Sequence, residues 1–589
     1  MGDESIIARL DSFSSSAAEK SYSFAGVQGQ IVAYTTEDVV PALEEVQSAV
    51  DNGLYAVGFL SYEAASGLTP YLRTFKRVDA PLVYFVFFAE RKQIEAGTGL
   101  PKTRQFADSW DQTVKFEDYE KALKKIRFYL QSGETYQVNY TYRLQAEFEG
   151  DELGVYAGLC QAQESLFCAY LDFGQHVVVS ASPELFFRVE GMNFEARPMK
   201  GTYRRGRWLQ EDEMFRDNLF SSEKDQAENV MITDMMRNDI GALAQIGSVQ
   251  VPSLFKIERY PTVWQMTSTV KASLRSGTKI SDIMTALFPC ASVTGAPKVR
   301  TMEVINEVEK DPRGIYTGCI GYVAPDGDAC FSVAIRTAHI DRESKIVKYG
   351  VGSGITWDSS SEKEYQECEV KTRILNTGID KFDLLETLLL EDEKIFLFGR
   401  HLDRLEMSAK YWGFAFDRSA LTSTVSDYAK KFSGKRCRLR LCLSESGKIS
   451  ITGTMSPCST NKNLSAELAA EPINRKNPLI FHKTTDRSIY EHAKTQRPNV
   501  EEVLLYNEAG ELTEFCIGNL VVDIDGQLFT PPVRCGLLPG TFREEEICSG
   551  RLTEKVLTIG HIDFVDKFYL INSVRRYVPV DLKVGEMNV

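Results

Sequence analysis

The stretch Arg197-Pro198-Met199-Lys200-Gly201-Thr202 follows two strand-like runs, Val177 to Ser180 and Leu185 to Val189, and sets a lysine between a proline and a Gly-Thr pair. Upstream, Ser182-Pro183-Glu184-Leu185-Phe186 holds a glutamate between the same two runs. A carboxyl that protonates a leaving group, paired with an amine that attacks carbon, is equipment for displacing a hydroxyl from a ring. Taken alone, both residues also read as solvated surface charges, so the rest of the chain has to decide.

The 589 residues carry a net charge of −14, with 43% hydrophobic and 25% charged residues. That composition is ordinary for a globular chain and provides for several domains and a large core. The acidic balance argues against a general nucleic-acid binder. Met1 to Ser5 lacks a basic-then-apolar leader, and the longest apolar run, Leu82 to Ala89, is far too short to span a bilayer. Twelve cysteines are irregular and form no Cys-x-x-Cys, and six histidines lack metal-ligand spacing. A reduced, cytoplasmic chain without zinc or a disulfide framework is expected.

Short alternating strands mixed with helices predict an α/β (α+β) chain. Tyr55 to Tyr62 and Leu82 to Phe88 read as strands. Phe116 to Ser132 reads as a helix, with Tyr119, Leu123, Ile126 and Leu130 at helical spacing, and further helices are predicted at about 222–244 and 361–376. At Asn376-Thr377-Gly378-Ile379-Asp380 the pattern restarts, Gly378 reading as a helix cap. Two domains are expected, 1–377 and 378–589. The second divides again near Asn461 to Asn477, into subdomains of about 378–470 and 471–589.

Other charged and glycine-containing runs accompany Lys200. Glu228 lies on the predicted helix after Ser222, and Glu364, Glu367 and Lys371 share one face of the next. Glu367 and Lys371 form either a surface ion pair or, with Glu228, part of a Mg²⁺ site, since Mg²⁺ needs only one or two carboxylates plus waters and an anionic substrate. The runs Ser292 to Lys298, with Thr294 and Gly295, and Gly350 to Ile355, with Gly352, Ser353 and Gly354, offer backbone N–H groups to a carboxylate. Arg336 ends a strand-like run and reads equally as a carboxylate fork or a structural ion pair.

Together these runs resemble the chorismate-utilising enzymes, a family that includes anthranilate, isochorismate, salicylate and aminodeoxychorismate synthases. The matching segments run in order from Gly58-Phe59-Leu60-Ser61-Tyr62-Glu63 through Tyr136-Gln137-Val138-Asn139, Ser182-Pro183-Glu184, Pro198 to Thr202, Glu228 to Asp239, Ser292 to Lys298, Gly318 to Thr337 and Gly352 to Lys371. The resemblance implies a β-sandwich flanked by helices. Anthranilate synthases carry a small residue where this chain has Lys200, whereas aminodeoxychorismate synthases carry lysine. The implied chemistry is attack by Lys200 at C2 of Mg²⁺-bound chorismate while Glu184 protonates the departing C4 hydroxyl. Ammonia then adds at C4. Glu228 and Glu367 are the implied metal ligands. Thr202, Thr294, Gly295, Arg336, Gly352, Ser353, Gly354 and Lys371 are the implied substrate contacts. Gln265 stands where many members carry a histidine associated with pyruvate elimination, and glutamine is no acid or base near neutral pH.

Beyond residue 394, His401-Leu402-Asp403-Arg404, His482-Lys483, Glu511 to Asn519, Leu537-Leu538-Pro539-Gly540-Thr541 and Asn572-Ser573 resemble the fold-type IV pyridoxal-phosphate enzymes, which include aminotransferases and aminodeoxychorismate lyase. The resemblance implies a fold of two subdomains. Lys483 would bond the cofactor, Glu514 would pair with its ring nitrogen, and Arg404, Asn519, Gly540 and Thr541 would complete the site, Gly540-Thr541 opening a helix that takes the phosphate. Joined, the halves imply conversion of chorismate and ammonia to aminodeoxychorismate, then loss of pyruvate to give 4-aminobenzoate. The alternatives are an aminotransferase in the second half, anthranilate-type chemistry in the first, or a half that only binds. Gly158-Leu159-Cys160-Gln161 lacks the features of a glutaminase, so ammonia or a separate glutamine amidotransferase subunit is the expected nitrogen source. A homodimer through the pyridoxal-phosphate half is the assembly considered.

Overall fold

Consecutive apolar residues in the strand Val83–Ile94 are explained by burial on both faces. Val83, Phe85 and Phe87 join one hydrophobic cluster, while Tyr84, Val86 and Phe88 join another. Phe167–Phe173 alternates likewise, with Cys168 and Tyr170 to one side and Ala169, Leu171 and Phe173 to the other. The cluster common to the two strands is therefore the filling between two sheets.

A computed structural model describes residues 6–13, 20–107, 109–375, 381–432, 434–455 and 463–583. The chain forms two units, one of Met1–Arg204 and Arg216–Ile379, the other of Arg205–Phe215 and Asp380–Val589. The restart at Asn376 to Asp380 lies outside the described residues.

Among the described residues of the first unit, eighteen strands are linked by hydrogen bonds. One layer runs from Ser21–Ala33 through Val83–Ile94, Tyr55–Leu60, Cys319–Val323, Ala329–Val333, Leu185–Glu190 and Asn193–Ala196 to Val263–Ser273. The other runs from Phe167–Phe173 through His176–Ser182, Thr337–Asp341 and Ile346–Ile355 to Gln137–Glu147. Ile7–Asp11 pairs with both layers. Helices Val39–Asp51 and Ile280–Leu287 cover the outer face of the first layer. Helices Phe116–Gln131, Glu152–Gln163 and Ser361–Thr372 cover that of the second. This is the expected β-sandwich with flanking helices. Lys200 does not merely follow a strand. It lies within Met199–Arg204.

In the second unit, Leu384–Glu391 and Cys437–Leu443 lie in a four-stranded sheet, against which helices Phe398–Trp412 and Arg418–Ala429 pack. A second, eight-stranded sheet closes through pairing of Leu512–Phe515 with both Glu502–Tyr506 and Gly518–Ile524. Leu468, Leu504, Phe515, Leu520 and Leu570 form its core. Its strand Leu464–Leu468 pairs in parallel with Arg576–Lys583 and lies within the stretch Asn461 to Asn477.

Candidate active sites

Strand Met199–Arg204 pairs with Val263–Ser273 at Met199↔Thr267 and again at Thr202↔Gln265, so one extra residue bulges between them. Gly201, at φ 89, absorbs the kink. Bulges re-aim side chains beside active sites, and Lys200 enters a cavity of about 210 Å³ that Glu184, Glu228, Glu364, Glu367 and Lys371 also line.

Burial lowers the pKa of Lys200, against the pull of Glu228 and Glu184. Burial likewise raises Glu184 to about 7, despite the Ser292 hydroxyl and the Lys200 charge. Glu184 is only 3% exposed and its Oε1 has no hydrogen-bond partner. A proton on that oxygen therefore has no competing acceptor. A carboxylic acid that keeps its proton up to about 7, beside an amine whose burial favours its neutral form, supplies the two reagents that a hydroxyl displacement needs.

Lys371 Nζ meets Glu367 Oε1 at 2.6 Å and donates to the Gly352 carbonyl at 3.0 Å. Burial opposes both charges, but each holds the other ionised, Lys371 upward and Glu367 downward in pKa. Glu228 and Glu364 are pushed upward, chiefly by burial. Arg336 Nη1 donates to the Lys371 carbonyl at 3.1 Å, and Thr202 Oγ1 donates to Gln265 Oε1 at 2.8 Å. The walls carry Glu184, Asp225, Glu228, Glu364 and Glu367 against Lys200, Lys224, Arg336 and Lys371. An acid-rich pocket of this kind fits a divalent cation that bridges carboxylates to an anionic substrate. No group of three or more metal-ligating side chains occurs among the described residues.

Thr294, Gly295 and Ser353 do not line this cavity. Thr294 Oγ1 bonds the Cys290 carbonyl, Gly295 pairs with Val138, and Ser353 Oγ lies 3.0 Å from the Tyr119 hydroxyl. Ser292, Val293, Gly352 and Gly354 line it instead, as do Asn139, Gln265, Tyr316 and Tyr349. Cys160 is buried in helix Glu152–Gln163 with its thiol pKa raised by burial, a core cysteine.

The second unit holds a cavity of about 300 Å³ lined by Lys483, Arg404, Glu514, Asn519, Gly540 and Thr541. The Lys483 carbonyl accepts from Leu385 N, which ties this lysine to the sheet edge. Burial, with Arg404 next, lowers Lys483 to about 8. Arg404 grips Glu386 through Nε at 2.8 Å and Nη2 at 2.6 Å, and its Nη1 donates to the Pro539 carbonyl. Burial would raise Glu386, but Arg404 and His401 hold it down at about 2. Glu514 faces Asn519 across paired strands and accepts from Tyr490 Oη at 2.9 Å, Asn519 Nδ2 at 3.1 Å and Leu538 N at 3.2 Å. Burial still raises it to about 7.

Sequence reasoning did not single out Arg438, Arg440, Arg487, Tyr490 or Arg575, all of which line this cavity. With Arg404 and Lys483 they make six basic side chains against one acid, Glu514. Arg438 and Arg440 alternate with Leu439 and Leu441, which enter the core of the four-stranded sheet. That alternation was the available signal, although it reads equally as a solvated face.

Known proteins align with each half. The description "chorismate binding enzyme" matches residues 11–377, and "Amino-transferase class IV" matches 383–582. Aminodeoxychorismate synthase component 1 of Escherichia coli is 41% identical over 46% of this chain and 60% of its own length. Anthranilate synthase component 1 of Aquifex aeolicus is 39% identical over 46% of this chain and 55% of its own. The chain thus spans somewhat over half the length of these relatives. A crystal structure of anthranilate synthase component I from Streptococcus pneumoniae superposes with a TM-score of 0.54 at 23% identity, over 62% of this chain and 93% of that one, a likeness of fold. No helix among the described residues is long and apolar enough to cross a membrane. The first unit's sandwich, the order of its motifs and these matches make this chain a member of the chorismate binding enzyme family, joined in one polypeptide to a class IV amino-transferase domain.

Proposed function

We propose that the chain makes 4-aminobenzoate in two steps. In the first, chorismate and ammonia give 4-amino-4-deoxychorismate and water. In the second, that product loses pyruvate. The observation that carries the reading is Lys200 beside Glu184 in one cavity, the amine lowered and the acid raised in pKa by burial.

Lys200 Nζ attacks C2 of the ring, both conjugated ring double bonds shift, and the C4 hydroxyl leaves as water with the proton from Glu184. Ammonia then adds at C4, both double bonds return, and Lys200 departs from C2 as the free amine. Arg336 and Lys371 supply cations for the substrate carboxylates. Mg²⁺, held by Glu228 and Glu367, would neutralise a carboxylate and fix the ring. Gln265 has no proton to exchange near neutral pH, which favours release of the aminated ring with its enolpyruvyl group intact. Nitrogen comes from free ammonia or from a glutamine amidotransferase partner.

The residues of the second cavity fit pyridoxal phosphate. Lys483 is a buried amine, Gly540-Thr541 opens a helix toward the cavity beside Arg404, and Glu514 is a buried carboxyl on the opposing strand. When bound, the cofactor supplies an electron sink. Lys483 Nζ, at about 8, both gives and takes a proton near neutral pH. The five arginines suit a substrate with two carboxylates as well as the phosphate.

The test is product analysis by HPLC after incubation with chorismate, Mg²⁺, pyridoxal phosphate and an ammonium salt. The expected product is 4-aminobenzoate, replaced by aminodeoxychorismate in Lys483→Ala. Anthranilate would overturn the first step. Aminodeoxychorismate that the unmodified chain never converts would overturn the second and leave an aminotransferase.

A further inference from the structure

A second cavity of the first unit, about 40 Å³, shares Tyr316 and Gly350 with the 210 Å³ cavity. The Tyr316 ring lies flush on Gly350, where a Cβ would fall 2.1 Å from its Cγ. Only glycine allows that approach, so the partition between the cavities is one aromatic ring thick. The backbone beside it is strained: Thr317 has φ 63 and Arg336 has φ 53, and neither is glycine. A β-branched residue in that region is rare, and such strain concentrates at ligand clamps and switches. Arg336 lines the large cavity and the next residue, Thr337, lines the small one.

The small cavity also reaches Asp79 and Lys348, an ion pair of 2.7 Å whose side chains are 78% and 39% exposed, which marks its mouth. Its buried wall carries Arg143 and Arg313. Arg313 is held by Glu309 at 2.7 Å, and Arg143 Nη2 lies 3.8 Å from the same carboxylate, an ion pair that leaves this buried nitrogen without a hydrogen-bond partner. The volume is far too small for chorismate. It suffices for one or two water-sized molecules, each of which needs roughly 10–15 Å³.

We propose that this cavity is the entry port for neutral ammonia, which passes into the chorismate cavity at the Tyr316–Gly350 partition. The proposal rests on the reading that the first unit aminates chorismate. Ammonia is water-sized and uncharged, and its lone pair accepts a hydrogen bond from a guanidinium N–H. Ammonium has no lone pair and cannot accept a hydrogen bond from the Arg143 Nη2 that lacks a hydrogen-bond partner. The wall thus selects the nucleophilic form.

Two variants narrow the port away from the chorismate cavity: Ala80→Leu, at a buried lining residue, and Asp79→Trp, at the exposed mouth. The KM for ammonium salt is expected to rise about fivefold or more. The chorismate KM, and kcat at saturating ammonia, should stay within about twofold. An unchanged ammonia KM in folded variants overturns the port. If Ala80→Leu does not fold, Asp79→Trp decides, because its side chain is in solvent. A wild-type protein that forms no aminated product overturns the amination reading and the port together. One that aminates chorismate, with variants of unaltered ammonia KM, overturns the port alone.

Discussion

Nζ of Lys200 lies 3.1 Å from the point where a Cβ would stand on Gly354, and Gln137 Nε2 lies 2.6 Å from that point. Gly354 is therefore the bare patch of strand against which the lysine rests. Gly354→Ala should push Gln137 and Lys200 aside while leaving the strand intact, since alanine is a permitted residue there. A misplacement of about 1 Å costs on the order of 10²-fold in rate. We expect kcat for amination to fall by about that factor with an unchanged circular dichroism spectrum, measured with ammonium salt as nitrogen source.

The pH dependence follows from the two opposed shifts. Glu184, near 7, must hold its proton to act as the acid, so the fraction able to donate declines as pH rises through about 7. Lys200 must be neutral to attack, and its lowered pKa brings that form into range as pH rises. The product of the two fractions is a bell, whose alkaline limb belongs to Glu184. Glu184→Gln keeps the shape but cannot donate. It should lower kcat about 10²–10⁴-fold and abolish the alkaline limb in a pH profile of kcat/KM. A limb that survives in the variant would assign it elsewhere.

Much of the first unit was legible because period and burial agree. Val83–Ile94 reads as a strand since both its faces are covered, and Phe116–Gln131 reads as a helix since Tyr119, Leu123 and Ile126 form one buried stripe. The strand of Lys200 was not legible, because Pro198 and the bulge at Gly201 interrupt its alternation. Neighbours in a motif were read as neighbours in a site, and strand geometry separates them. Gly352 and Gly354 face the cavity, while Ser353 between them turns to Tyr119. Arg438 and Arg440 lay beyond reach for the opposite reason. Arginines alternating with leucines describe any half-exposed strand, and only the tertiary fold puts a cavity in front of them.

Those two arginines separate the lyase reading from an aminotransferase. If the cavity takes a ring bearing two carboxylates, one of Arg438 and Arg440 pairs with a carboxylate. A charged hydrogen bond of that kind is worth about 1.5–3 kcal/mol. Arg438→Leu or Arg440→Leu should therefore raise the KM for aminodeoxychorismate about 10- to 100-fold. The visible absorbance of the pyridoxal-phosphate-loaded protein should persist, since Lys483 is untouched. Retained KM in both variants would remove the argument that the basic wall recognises the substrate.

Glu386 tests how the second site is held together. It is 1% exposed, and Arg404 and His401 both bind it, with His401 Nδ1 2.7 Å away. Its folded pKa, about 2, lies below the ordinary carboxylate value, so its contribution is present above the unfolded pKa and is lost as pH falls toward 2. Glu386→Gln leaves the Arg404 guanidinium buried without its counter-charge. Breaking such a buried pair typically costs about 3–5 kcal/mol. The expected result is a lower unfolding temperature for the second unit at neutral pH, with a smaller dependence on acid than in the unmodified chain. Added pyridoxal phosphate should recover part of the loss, because its phosphate offers Arg404 a replacement anion. Differential scanning calorimetry with and without the cofactor reads both effects, and an unchanged transition in the variant would show that the Arg404–Glu386 pair contributes no net stability.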